Sequence, residues 1–91
     1  MLADALLDAR PTDTVDLHGL RADEVQRALE PFLKRQRSGA VVHIITGRGR
    51  GSRGQPALFP RVRVLLTGAL AGLVADMTKD VDAGGFIVRR R

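Results

Sequence analysis

The chain has no cysteine, no tryptophan and no tyrosine, and its only aromatic residues are three phenylalanines. Without cysteine there is neither a disulfide nor a thiolate zinc site, which fits a reducing compartment. Two histidines among scattered acids are too few for an ordinary structural metal site. So few rings leave no platform for base stacking, so any nucleic-acid contact is expected at the phosphate backbone rather than the bases. No apolar run approaches the roughly 20 residues that span a bilayer, and no cationic leader precedes an apolar segment at the N-terminus. A soluble, cytoplasmic domain without membrane partners is the expectation.

What is present suits a small basic domain. Ninety-one residues make one domain, and 44% hydrophobic residues with a mean hydropathy of -0.05 allow a modest core. Fifteen Lys and Arg against ten Asp and Glu give a net charge of +5. The excess is carried mainly by arginine, whose planar fork pairs with phosphates, so a polyanionic partner is indicated.

Hydrophobic spacing gives a coarse order of elements. Residues 1–13 read as an N-terminal arm or linker with a short helix-like spacing of Leu2, Leu6 and Leu7, and residues 14–91 as the domain proper. A first strand is predicted over 14–17, released by Gly19. A helix follows over 21–37, with Val25, Ala28, Leu29, Phe32 and Leu33 on one stripe. Pro31 is the misfit there and is expected to kink or divide the helix. Val41 to Ile45 is a continuous strand run. A second helix is expected over 60–67 with Val62, Leu65 and Leu66 inward, then a strand over 73–79. Turn residues 82–85 and a last strand at 86–88 favour a hairpin. The result is a βαβαββ chain, an α/β two-layer sandwich with two helices packed on a four-stranded mixed sheet. No internal repeat is visible.

Two stretches carry chemistry. In Val15-Asp16-Leu17-His18-Gly19, Asp16 and His18 are two apart at a strand end and should point the same way. The plain alternative is that Asp16 caps a turn while His18 packs beneath it. In Thr46-Gly47-Arg48-Gly49-Arg50-Gly51-Ser52-Arg53-Gly54, glycine occupies four positions and arginine three. Glycine lets backbone approach a phosphate, and Arg48, Arg50 and Arg53 add charge-assisted bonds. A strand–helix–strand unit normally pairs its strands in parallel, so both stretches should leave the sheet at one edge. The glycine loop lacks the Gly-Lys-Ser/Thr of a P-loop. It does match G-x-G-x-x-G formally, with Asp76 about twenty residues on. Asp76 falls inside a predicted strand, however, and the chain is short for a dinucleotide domain. A flexible turn kept soluble by arginine is the remaining plain reading.

Asp16-Leu17-His18-Gly19-Leu20 followed by Ile44-Ile45-Thr46-Gly47-Arg48-Gly49, with Gly84-Gly85 before an apolar strand, resembles the Smr (small MutS-related) domain. The resemblance covers about residues 14–89. It implies a fold similar to the C-terminal domain of translation initiation factor three. It also implies DNA or RNA binding, with nicking or endonuclease activity in several members and links to DNA repair or recombination. By position it makes Asp16 and His18 the residues tied to cleavage and matches Thr46, Gly47 and Gly49 to the loop motif, with Arg48 at its variable position; with Gly19, Arg50, Gly51 and Arg53 of the same turn and loop, these are the expected nucleic-acid-binding residues. The chain departs from common members at Arg21, where a capping Thr is frequent, at Pro31, and in a short segment before the last glycine pair.

Phosphodiester hydrolysis needs a base, an acid and cations around the developing charge. The expectation is that His18 transfers protons, Asp16 orients it, and Arg48, Arg50 and the loop amides hold the phosphate. No cofactor is indicated. A divalent metal at Asp16 is the alternative, but one carboxylate and one imidazole are a thin ligand set, so a metal-independent route is favoured. The alternative to an endonuclease is a non-catalytic DNA- or RNA-binding module, including the C-terminal domain of a longer MutS-like protein. His43, among Val and Ile, reads as a core histidine. Arg89-Arg90-Arg91 reads as a solvated tail.

Overall fold

The computed structural model describes residues 6, 9–47, 58–80 and 84–91. Their order is β1 (Asp13–Asp16), α1 (Ala22–Lys34), β2 (Val41–Ile45), α2 (Leu58–Thr67), a 3₁₀ turn (Ala71–Leu73), β3 (Val74–Asp80) and β4 (Gly85–Arg90). The four strands form one sheet in the order β1-β2-β4-β3. β1 and β2 are parallel, with Asp16 opposite Ile45, while β4 runs antiparallel to both β2 and β3. The βαβαββ order, the mixed sheet and its β3–β4 hairpin are all as expected.

Strand alternation divides the sheet residues between two faces. Val42, Ile44, Phe86 and Val88 face the helices and form the core with Val25, Leu29, Phe32 and Leu33 of α1 and Leu58, Val62, Leu65 and Leu66 of α2. The α1 residues recur at i, i+4, i+7 and i+8, the stripe that a helix lays against a sheet. Truncating Phe32, which is 1% exposed, is expected to cost about 3 to 5 kcal/mol. On the other face Leu6, from the expected arm, is buried against Val41 and Ile87.

Local chemistry explains features of both helices. Of the kink or division expected at Pro31, the division does not occur: α1 is one helix through it. Pro31 is exposed, so the Arg27 carbonyl that loses its donor lies towards water, and the helix resumes with Arg35 N–H donating to the Pro31 carbonyl at 3.1 Å. At the start of α1, where Arg21 replaces a capping hydroxyl, Glu24 Oε1 accepts the Arg21 backbone N–H at 2.9 Å. α2 begins at Leu58, two residues before Pro60, which a proline in the first turn permits because its missing N–H has no intrahelical partner there.

Between β2 and β4 the backbones approach closely. A Cβ on Gly85 would collide with the Ile44 carbonyl, so only glycine fits where β4 meets the end of β2.

Candidate nucleic-acid site

β1 and β2 end side by side. The Leu17 N–H donates to the Ile45 carbonyl at 2.7 Å, extending the parallel pairing by one residue beyond β1. A Cβ on Gly47 would lie 3.7 Å from the Cβ of His18. The turn after β1 and the loop after β2 are thus in contact, though about thirty residues apart in sequence, because neighbouring parallel strands end at the same edge of the sheet.

Asp16 lies on the sheet face away from the helices, and its Oδ1 is 2.6 Å from His18 Nδ1. The same oxygen accepts the His18 backbone N–H at 3.1 Å. Asp16 therefore closes the turn, as the plain reading has it, and also holds the imidazole, but His18 stands in solvent instead of packing beneath the turn. The bond from the His18 ring holds the Asp16 carboxyl below the usual carboxylate range. An ionised carboxylate only accepts, so Nδ1 carries a hydrogen and Nε2 is directed elsewhere. The His18 side chain is 70% exposed and that of Asp16 48%, so the pair stands in solvent at the sheet edge.

The remaining expected residues divide between support and reach. Gly19 lies in the exposed turn at φ +85°. Thr46 is 6% exposed, and its hydroxyl donates to the Gly84 carbonyl at 2.8 Å. The Thr46 and Gly47 N–H groups donate to that same carbonyl at 2.8 and 3.0 Å. The threonine thus fixes the loop's departure against the last hairpin, and Gly47 turns the chain at φ +97°, a conformation costly for other residues. Arg48, Gly49, Arg50, Gly51 and Arg53 lie outside the described residues.

The sequence reading missed one contact. His43 Nε2 lies 2.7 Å from Asp80 Oδ2, across β4 from β2 to β3. The sheet order that brings the two together is non-local, and only counting the register through the hairpin would have found it. Arg89 and Arg90 are likewise built into β4 rather than trailing as a tail: Arg90 Nε donates to the Leu33 carbonyl at 2.8 Å, satisfying the C-terminal end of α1. Asp76, the acid of the dinucleotide pattern, is inside β3, with Oδ1 accepting the Met77 N–H at 2.9 Å.

Among the described residues there is no group of three or more His, Cys, Asp or Glu side chains placed to hold a metal ion. Nor does any helix among them reach the length and apolarity needed to cross a membrane. No curated protein and no solved structure matches the chain. The model of the Smr domain matches residues 15–85, a span that takes in the Asp16–Gly19 turn, the Thr46–Gly49 segment and the glycine pair at 84–85. With both motifs meeting at one sheet edge and most of its length matched, the chain belongs to the Smr domain family.

Proposed function

We propose that this Smr domain, from a family that generally binds nucleic acids, cleaves a phosphodiester bond of DNA or RNA at the edge where β1 and β2 end. The observation that carries the reading is the 2.6 Å contact between Asp16 Oδ1 and His18 Nδ1 in an exposed turn beside the glycine loop. Asp16 keeps the hydrogen on Nδ1, which leaves Nε2 to take a proton from the attacking oxygen and return it to the leaving oxygen. Imidazole suits this exchange because its ordinary pKa lies close to neutral pH. Arg48, Arg50 and Arg53 follow Gly47 in the chain and supply cations for the charge on phosphorus. Gly19, Gly49 and Gly51 keep side chains out of the phosphate's path.

The test is cleavage of labelled single-stranded, duplex and branched DNA and RNA, with and without chelator, by the intact protein and by His18→Ala. Cleavage lost with binding retained is the expected result. Unchanged cleavage would overturn the role of His18. Binding without cleavage in the intact protein would leave a nucleic-acid-binding module.

A further inference from the structure

The pole of the sheet opposite the Asp16–His18 edge holds a second concentration of positive charge. There, where α1 ends and β2 begins, an open cavity of about 590 Å³ is lined by Thr12, Arg35, Arg37, Ser38 and Gly39, with no carboxylate in its wall. Arg89 faces Val41 across the ladder and its Nη1 donates to the Gly39 carbonyl at 3.3 Å, which brings a third guanidinium to the rim. Arg10 is exposed two residues before Thr12, whose N–H donates to the Val41 carbonyl at 2.8 Å.

One described carboxylate answers these four arginines. Asp13 Oδ2 lies 3.6 Å from Arg35 Nη2 and accepts from Gln36 Nε2 at 3.0 Å. Arg10 and Arg37 have no ion-pair partner among the described residues. A second cavity, on the outer face of α1, is different: Asp23 and Glu30 there balance Arg27 and Lys34. Two guanidinium groups in the cavity wall and a third at its rim, beside two hydroxyls and with Asp13 pairing only Arg35, have the chemistry that receives a phosphate.

We infer that this pole is a second contact for the nucleic-acid backbone, separate from the Asp16–His18 edge and resting on the reading that the domain binds nucleic acid. Asp16 and Arg89 lie on the same sheet face, since Asp16 pairs with Ile45, Arg89 with Val41, and residues 41 and 45 share a face. The poles are separated by the length of β2, about 13 Å for four strand rises. A B-form strand advances about 3.4 Å per nucleotide, so one polyanion reaches both poles over roughly four or more nucleotides. The far contact would anchor the strand while the edge acts on it.

The test is anisotropy of a labelled oligonucleotide long enough to span both poles, titrated between about 50 and 200 mM salt. Arg10→Glu/Arg37→Glu is compared with Arg27→Glu/Lys34→Glu, which changes net charge equally on the balanced face. The pole variant is expected to lose roughly 10- to 100-fold in affinity near 0.1 M salt and about two units of salt slope, against little change in the control. Arg37→Ala alone should lose about one unit of slope. Equal losses in pole variant and control would overturn the inference while leaving nucleic-acid binding in place. No binding by the intact protein even at low salt would sink the functional reading and this inference with it.

Discussion

Two imidazole–carboxylate contacts of nearly equal length lie at the non-helical side of this sheet, and their surroundings differ. His18 and Asp16 are two residues apart, meet at 2.6 Å, and have side chains 70% and 48% exposed at a strand end. His43 and Asp80 are 37 residues apart, meet at 2.7 Å across an intervening strand, and are 18% and 23% exposed. The His43 Nε2 atom is itself buried. A proton-transfer group has to reach a substrate atom to within about 3 Å, which the exposed first pair permits and the buried His43 Nε2 does not. The second pair instead ties β3, an edge strand with β4 as its strand neighbour, to β2 across β4. Contact length is therefore a poor guide to function, and access is a better one.

The sharpest way to break this comparison is to remove each histidine in turn. His18→Ala is expected to lower cleavage by about 10²- to 10⁴-fold, the usual worth of a positioned acid–base group, with the melting temperature unchanged because the side chain is exposed. His43→Ala should do the reverse. It leaves a half-buried carboxylate without this partner and is expected to cost about 1 to 2 kcal/mol, with single-turnover cleavage at saturating protein preserved. For a domain of this size that corresponds to a fall in Tm of several degrees. A cleavage defect in His43→Ala without loss of stability would erase the distinction between the pairs.

How the two pairs are encoded explains what the sequence showed and what it withheld. Asp16 and His18 are local: period-two alternation and a following glycine placed them together. The parallel pairing of β1 with β2 follows from the length of the crossover, so the meeting of His18 with Gly47 was legible as well. β2 was read residue for residue, because Val41 to Ile45 is a bounded apolar run. The burial of Thr46 was not legible, since its partner is a backbone carbonyl at Gly84, and backbone carbonyls leave no mark in composition. Asp80 was hidden for a related reason: its nearness to His43 depends on β4 inserting between β2 and β3. The early start of α2 lay in Leu58, which joins Val62 and Leu65 at i, i+4 and i+7 and was masked by the two prolines around it.

A double variant separates positioning from chemistry within the exposed pair. If Asp16 acts only through His18, Asp16→Asn lowers cleavage in the intact protein but adds nothing on top of His18→Ala. Independent losses that multiply would assign Asp16 a contact of its own with substrate or with a cation. The corresponding cycle for His43 and Asp80 should show its coupling in thermal stability instead.

The smallest expected effect is a titration. The bond from His18 holds the Asp16 carboxyl below the usual carboxylate range, so the ionised form persists as the pH falls. A carboxyl depressed on folding contributes stability above its unfolded value of about 3.9 and loses it as the pH drops through the lower folded value. The window for this pair is therefore below about pH 4, and the contribution is small because solvent screens both partners. Carbon-detected NMR of the Asp16 carboxyl should show its midpoint rising in His18→Ala, while Asp13, whose carboxyl is lowered chiefly by its bond from Gln36, stays where it is. An unmoved Asp16 would mean that the 2.6 Å contact does not persist in solution, and the exposed pair would then lose the geometry that distinguishes it from the buried one.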